Sequence, residues 1–375
     1  MNDIFNAFIL LGYVTIAHLF LVNLILGISI IIPLLEYIQI KKKDNTLKMN
    51  IRSIFKFMVI TDLFAGVWAT WLTVFLGGFW PLLTFYATTV LFIPITISLI
   101  GILIALPSIG IYWYTWDKVS EKVHLIIGII MAVGTIMVPV GFNMIFSFIN
   151  DPVGFSQAMN GDLLAVFGNP LYPEFTLHRI FGAITMVSVF LFGIYGYLYH
   201  KGERERYGSI MYILSYIALP SLAFESFLGF LYAMELNKFS PYIASRLFGP
   251  FSPSSSVSDL YPVFVFFILL ISLIWMLLMY LILLNCKGKG SAPFFISLSI
   301  LSLLAIPVGE FINDFSRYPY FIVTGEGGIN LSDFYNKIMY ISDAWLIAAI
   351  SVSLLVLAAY LWLVYQVNIK GKYIH

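Results

Sequence analysis

Long apolar runs separated by short polar connections repeat along this chain, at roughly 6–39, 54–80, 86–115, 123–149, 173–199, 209–234, 259–285, 292–312 and 339–366. Each run exceeds the ~18–20 residues a helix needs to cross a ~30 Å hydrocarbon core. In lipid every backbone amide must be satisfied within the segment, so the runs predict helices. No long polar segment separates a second domain. The reading is an all-α polytopic membrane protein of about nine transmembrane helices. It is a single membrane domain over 1–375, with helices 1–4 at about 6–149 and helices 5–9 at about 173–366 as two helical bundles. The connections at about 150–172 and 235–258 are rich in Gly, Pro, Ser and Asn, as ordered surface loops are. A third, about 313–338, carries Arg317-Tyr318-Pro319-Tyr320 and the glycines Gly325, Gly327 and Gly328.

Composition agrees. Hydrophobic residues make up 61% of the chain and charged residues 10%, against about 25% charged in a soluble domain; the mean hydropathy is +0.95. A net charge of +1 gives no sign of a nucleic-acid partner. The single cysteine, Cys286, makes no internal disulfide and no cysteine-rich metal site. Near the N-terminus Asp3 stands where a signal peptide has basic residues, and the apolar run continues to Leu35, so it reads as a spanning helix.

Charge placement sets an orientation. Of 20 basic residues, 15 fall on one side of a nine-helix arrangement: Lys41, Lys42, Lys43, Lys48, Arg52 and Lys56 around the first turn, Lys118 and Lys122 in the third, Lys201, Arg204 and Arg206 in the fifth, Lys287 and Lys289 in the seventh, and Lys370 and Lys372 in the tail. Arg179, Lys238, Arg246, Arg317 and Lys337 fall on the other. Positive loops stay in the cytoplasm, which puts the N-terminus outside, the C-terminus inside and the long loops outside.

Ionisable groups inside a bilayer are costly, so each is a candidate for function. His18 lies in the outer half of helix one and His178 near the outer end of helix five, followed by Arg179. An imidazole there either hydrogen-bonds across helices or serves as an axial haem ligand between helices. Arg179 suits a haem propionate or a lipid headgroup. His124, beside Glu121 and Lys122, reads as a solvated cytoplasmic helix end with a possible share in proton uptake. His200 and His375 read as surface groups. Among carboxylates, Glu225 is the deepest, mid-way along helix six, and is a candidate for catalytic proton transfer. Glu36 reads as interfacial and Asp62 lies early in helix two. Glu310 and Asp314 are one turn apart and face the same way; Asp343 opens helix nine. The 34 Phe, 23 Tyr and 8 Trp suit packing and interface belts. A haem-free transporter or structural subunit is the rival reading, with Pro94, Pro107, Pro139 and Glu225 as the parts of broken helices and a midplane site.

Four colinear stretches carry a resemblance. The first is His18-Leu-Phe-Leu-Val-Asn-Leu-Ile-Leu-Gly27, running on to Leu35-Glu36-Tyr37. The second is Trp116-Asp117-Lys118 followed by His124. The third is Asn169-Pro170, then Phe175-Thr176-Leu177-His178, Gly182 and Lys201-Gly202-Glu203. The fourth is Phe315-Ser316-Arg317-Tyr318-Pro319-Tyr320, similar to a Gly-Arg-Gln-Pro-Trp motif. Together they resemble the large subunit of cytochrome bd-type quinol oxidases. The resemblance implies b-type haems, low-spin and high-spin, and a third that is often haem d, all near the outer face. It implies quinol oxidation beside the external loop between helices six and seven, protons drawn from the cytoplasm, and dioxygen as acceptor. It also implies a smaller membrane subunit or a paralogous large subunit as partner, in the plasma membrane of a prokaryote. By position His18 matches a ligand at the high-spin haem pair, His178 a ligand of the low-spin haem, and Arg317 the arginine near propionates.

The chain also departs from the family pattern. Phe267 stands where the low-spin haem has its Met ligand, and Met276 and Met279 lie roughly 13 Å or more deeper. Ile97 and Ala105 replace two glutamates of helix three. Pro307 replaces a glutamate ligand of helix eight, with Glu310 one turn away as a candidate metal ligand. In the short 235–258 loop Ile243 and Phe248 replace a quinol-binding Lys and Glu, with Lys238 and Glu235 nearby. A divergent oxidase with re-sited ligands and a non-catalytic paralogous subunit with fewer haems both fit these departures.

Overall fold

A computed structural model describes residues 2–252, 258–286, 291–336 and 338–370. Lys287, Lys289, Lys337, Lys372 and His375 lie outside the described residues, as do the side chains of Asp3 and Cys286. The helices are α1 (Asn2–Lys42), α2 (Asn45–Phe79), α3 (Pro81–Val90), α4 (Phe92–Thr115), α5 (Glu121–Asn150), α6 (Phe155–Met159), α7 (Tyr172–His200), α8 (Arg204–Phe239), α9 (Pro241–Phe248), α10 (Tyr261–Cys286), α11 (Ala292–Phe315), α12 (Leu331–Phe334) and α13 (Asp343–Val364). Among the described residues, nine of these are long and apolar enough to cross a membrane. The protein is an all-α polytopic membrane protein, as the hydropathy pattern predicts.

Two details differ from the sequence reading, each for a local reason. The expected third span, 86–115, is broken at Leu91, between α3 and α4. Pro94 lacks an N–H, and its ring would clash with the carbonyl of Val90 in a continuous helix. Likewise α2 stops at Phe79 because Trp80 precedes Pro81, and a residue before proline disfavours the helical region. The second difference is a small antiparallel hairpin, β1 (Tyr320–Thr324) and β2 (Gly327–Asn330), in the 313–338 connection. Gly325 supplies its turn at φ +61, and a Cβ on Gly328 would lie 2.3 Å from the Ile322 carbonyl oxygen. Only glycine meets both demands comfortably.

α1 is the centre of the packing. It lies against α2, α5, α7, α11 and α13, while α4 pairs with α5 and α7 with α8. Close approach of α1 and α7 depends on Gly27: a Cβ there would fall 2.3 Å from the Ala183 carbonyl oxygen and 2.6 Å from Val187 Cγ2. Small residues let backbones touch where lipid offers no hydrophobic drive for helices to associate. One end of the bundle gathers the predicted basic side: Lys48 pairs with Asp117 at 2.5 Å, and Asn50 donates to the Arg206 carbonyl. The opposite end carries α9, the hairpin and Arg317.

Candidate functional site

His18, His124 and His178 differ in how their nitrogens are used. His18 places Nδ1 3.2 Å from the Ala65 carbonyl oxygen on α2. A carbonyl only accepts, so the proton sits on Nδ1 and the Nε2 lone pair stays available. His178 sets Nδ1 2.8 Å from Glu225 Oε1 on α8, close but without hydrogen-bond alignment. Among the described residues no protein group bonds Nε2 of either ring. His178 lies flat on α8 because residue 229 is glycine; a Cβ there would meet Cε1 at 3.1 Å. Glu225 has the same support from α7, where a Cβ on Gly182 would come within 3.0 Å of Oε1.

His124 is different, and the expectation of a solvated helix end for it is corrected. It is buried, as is Glu36, which was expected at the interface. Nε2 donates to the Tyr112 carbonyl at 3.0 Å, and Nδ1 shares a proton with Glu36 Oε1 at 2.6 Å. Tyr112 donates its hydroxyl to Glu36 Oε2 at 2.9 Å. Packing of α4 and α5 on α1 folds this cluster inward, and only mutual hydrogen bonding makes that burial tolerable. Both nitrogens of His124 are occupied, so it is no haem ligand here.

A second buried network joins α1, α5, α7, α8 and α11. Arg179 donates from Nη2 to Glu310 Oε1 at 2.6 Å and from Nη1 to Oε2 at 3.1 Å. Asn23 of α1 donates to the same carboxylate at 3.1 Å. One turn along α11, Asp314 lies 3.4 Å from Arg317, which also donates to Asn150 Oδ1 at 3.1 Å. Asn150 in turn donates to the Tyr232 hydroxyl at 3.2 Å, and the Tyr232 ring lies near-parallel to His178 with centroids 6.2 Å apart. Asn23 of α1 and Arg179 of α7 thus share one carboxylate. His18 is five residues before Asn23 along α1, about 7.5 Å, and His178 is one residue before Arg179 along α7, about 1.5 Å.

The structure thus brings His178, Arg179, Glu225, Glu310, Asp314 and Arg317 into one region, with His18 on the neighbouring helix. Phe267 instead packs toward Gly309, and Met276 and Met279 are exposed on the outer face of α10. Ile243 is buried in an apolar cluster with Leu236 and Leu247, and Phe248 packs beside it against Phe264. Lys238 is exposed, its ammonium over the Phe239 ring. Sequence reasoning missed Asn23, Tyr112, Asn150, Tyr232 and the part played by Arg246. Asn23 was detectable as an amide inside an apolar run; the tyrosines and Asn150 carried no such signal.

A family model described as cytochrome bd terminal oxidase subunit I matches residues 7–247. The chain belongs to the cytochrome bd terminal oxidase subunit I family. The match takes in His18, His178, Glu225 and Arg246, while Glu310 and Arg317 lie beyond it. Cytochrome bd ubiquinol oxidase subunit 1 of Bacillus subtilis (strain 168) is 27% identical over 201 residues, which is 52% of this chain and 42% of that relative. The alignment therefore spans less than half of the relative's length. The structure of bd oxidase from Geobacillus thermodenitrificans superposes with a TM-score of 0.79 at 18% identity, covering 100% of both chains. That likeness establishes the bd-oxidase fold for the whole chain.

Proposed function

We propose that this member of the bd subunit I family is a haem-carrying subunit that passes electrons from a membrane quinol toward dioxygen. The observation that carries the reading is the pair of imidazoles, His18 and His178, each with Nδ1 turned to an oxygen acceptor and Nε2 uncommitted. Iron-ligating histidines are oriented in this way by a carbonyl or carboxylate behind the ring. Further support comes from buried polar atoms with no hydrogen-bond partner among the described residues, Glu225 Oε2 and Asp314 Oδ2. Buried polar groups are normally satisfied, so these atoms suit a site completed by an added polar group.

The residues present fit haem at His18 and His178, and both b-type haem and a third haem of d type belong to the proposal. When bound, haem would supply one-electron chemistry and an iron that can take dioxygen. Glu225 holds the His178 ring in place and is positioned to move a proton at Nδ1. Arg317 uses only part of its five-donor fork on Asp314 and Asn150, and the rest suits a propionate. The quinol site is proposed at the external 235–258 segment, where Ile243 and Phe248 leave Lys238 and Glu235 as polar candidates. The proposal includes one membrane domain in two helical bundles, helices 1–4 at about 6–149 and helices 5–9 at about 173–366. It also includes an outside N-terminus, the plasma membrane of a prokaryote and a second membrane subunit, smaller or paralogous.

One observation favours a non-catalytic, haem-poor paralogue instead: both oxygens of Glu310 already accept from Arg179, and Oε1 accepts from Asn23 as well, so the carboxylate is committed to a charged protein partner. The test is a reduced-minus-oxidised spectrum of the purified protein with haem extraction. Two or more haems, one binding carbon monoxide, is the expected result. A single low-spin haem would favour the paralogue, and no haem would overturn the proposal in favour of a transporter or structural subunit.

A further inference from the structure

We propose that Arg246 is a positioning residue that couples α9 to the His178 imidazole. Arg246 sits on α9 and is only 5% exposed. Its Nη1 donates to the carbonyls of Phe315 at 2.9 Å and Ser316 at 3.1 Å, and to that of Tyr318. Its Nε and Nη2 grip both oxygens of Asp259 at 2.8 and 2.7 Å. Phe315 ends α11, where carbonyls lack helical partners and the helix dipole favours a cation. One guanidinium therefore caps α11 and holds the turn that follows it.

That turn carries Arg317. Its backbone is flanked by the carbonyls Arg246 holds, and its guanidinium reaches Asn150, Tyr232 and then the face of His178 by the contacts described above. α9 grips the same elements at two further points. Tyr242 donates its hydroxyl to the Tyr318 carbonyl at 2.8 Å, and Ser240 donates to the Asn150 carbonyl at 2.8 Å. A displacement of α9 therefore reaches Asn150 from two sides. Coupling is an energetic quantity, read as the effect of a change at Arg246 on the far end of this network. The haem part of that test rests on the proposed function; the backbone part does not.

The experiment compares the full-length protein with Arg246→Gln, Arg246→Lys and Asp259→Asn. Hydrogen–deuterium exchange is read at 313–318, at the end of α5 and in α8 near Tyr232. Where haem is present, its midpoint potential and band position are read as well. Arg246→Gln is expected to speed exchange about tenfold or more in all three segments, the effect of losing charge-assisted hydrogen bonds, and to shift the potential of the His178 haem at unchanged haem content. Arg246→Lys keeps the charge without the fork and should fall between, and Asp259→Asn, which leaves the carbonyl bonds, should change 241–259 alone. Faster exchange confined to 241–259 in Arg246→Gln would overturn the proposal, as would an unmoved potential in a haem-loaded variant. A parent protein without haem would refute the proposed function while leaving the exchange result decisive. If Arg246→Gln does not accumulate, the contrast of Arg246→Lys with Asp259→Asn decides: exchange near Tyr232 must rise in the first and stay unchanged in the second.

Discussion

Arg179 and Glu310 meet through two parallel hydrogen bonds, 131 residues apart in sequence, with Asn23 completing the carboxylate's shell. The pair ties α7 to α11 and, through Asn23, to α1. It joins the two helices that carry His178 and His18. Breaking a buried pair on one side leaves an uncompensated charge.

Glu310→Ala is therefore expected to destabilise the protein by about 3–5 kcal/mol, read by thermal unfolding in detergent. Removing both partners, Glu310→Gln with Arg179→Met, should restore much of that loss. Loss of one haem signal with unfolding unchanged would return Glu310 to the role of iron ligand.

His18→Ala and His178→Ala should each lose one haem on extraction. His124→Ala should keep the full haem complement and unfold more easily, because Glu36 and Tyr112 lose their buried partner. A full haem count in His178→Ala would remove that residue from the ligand set.

Glu225→Gln keeps an oxygen near Nδ1 but removes the negative charge behind the ring. The expected result is retained haem with a raised midpoint potential, since the anion favours the oxidised iron, together with slower turnover. Glu225→Ala should weaken haem retention about 10–100-fold, the usual effect of losing an outer-shell partner. Turnover unchanged in the Gln variant would count against proton transfer by Glu225.

Gly27→Val places a side chain against backbone in the α1–α7 contact. Overpacking of this kind costs about 1–3 kcal/mol. Because the contact lies between the helices that carry His18 and His178, haem loss should accompany the lower unfolding temperature. A variant with wild-type stability and haem content would show that α1 and α7 do not rely on this approach.

The Arg246–Asp259 clamp has a defined pH window. The Arg246 hydrogen bond holds the Asp259 carboxyl below the usual carboxylate range, against the opposing effect of partial burial. A carboxylate depressed in the folded state adds stability above its unfolded value, and that contribution is lost as pH falls through the depressed value. Resistance of the 241–259 segment to proteolysis should then stay level from neutral pH to about 4 and decline below it.

Most of the membrane architecture was legible along the chain, because the length and apolarity of a run are properties of that run alone. The break at Leu91 was legible in principle too, since Pro94 acts on its own helix. The hairpin was hidden because Tyr320–Thr324 is short and its partner strand Gly327–Asn330 is half glycine. Glu36 and His124 were misjudged for another reason. Each looks like a helix-end charge in its own segment, and burial follows only when α4 and α5 close over α1.

By itself the sequence determined the spans, the basic asymmetry between loops and the identity of His18 and His178 as the imidazoles to watch, all local features governed by transfer into lipid. The tertiary structure decided which nitrogen His18 and His178 leave free, that Glu310 belongs to Arg179, and that Arg246 caps α11. Those outcomes depend on side chains from helices far apart in sequence meeting, where most buried polar groups take whichever partner the packing brings within about 3 Å.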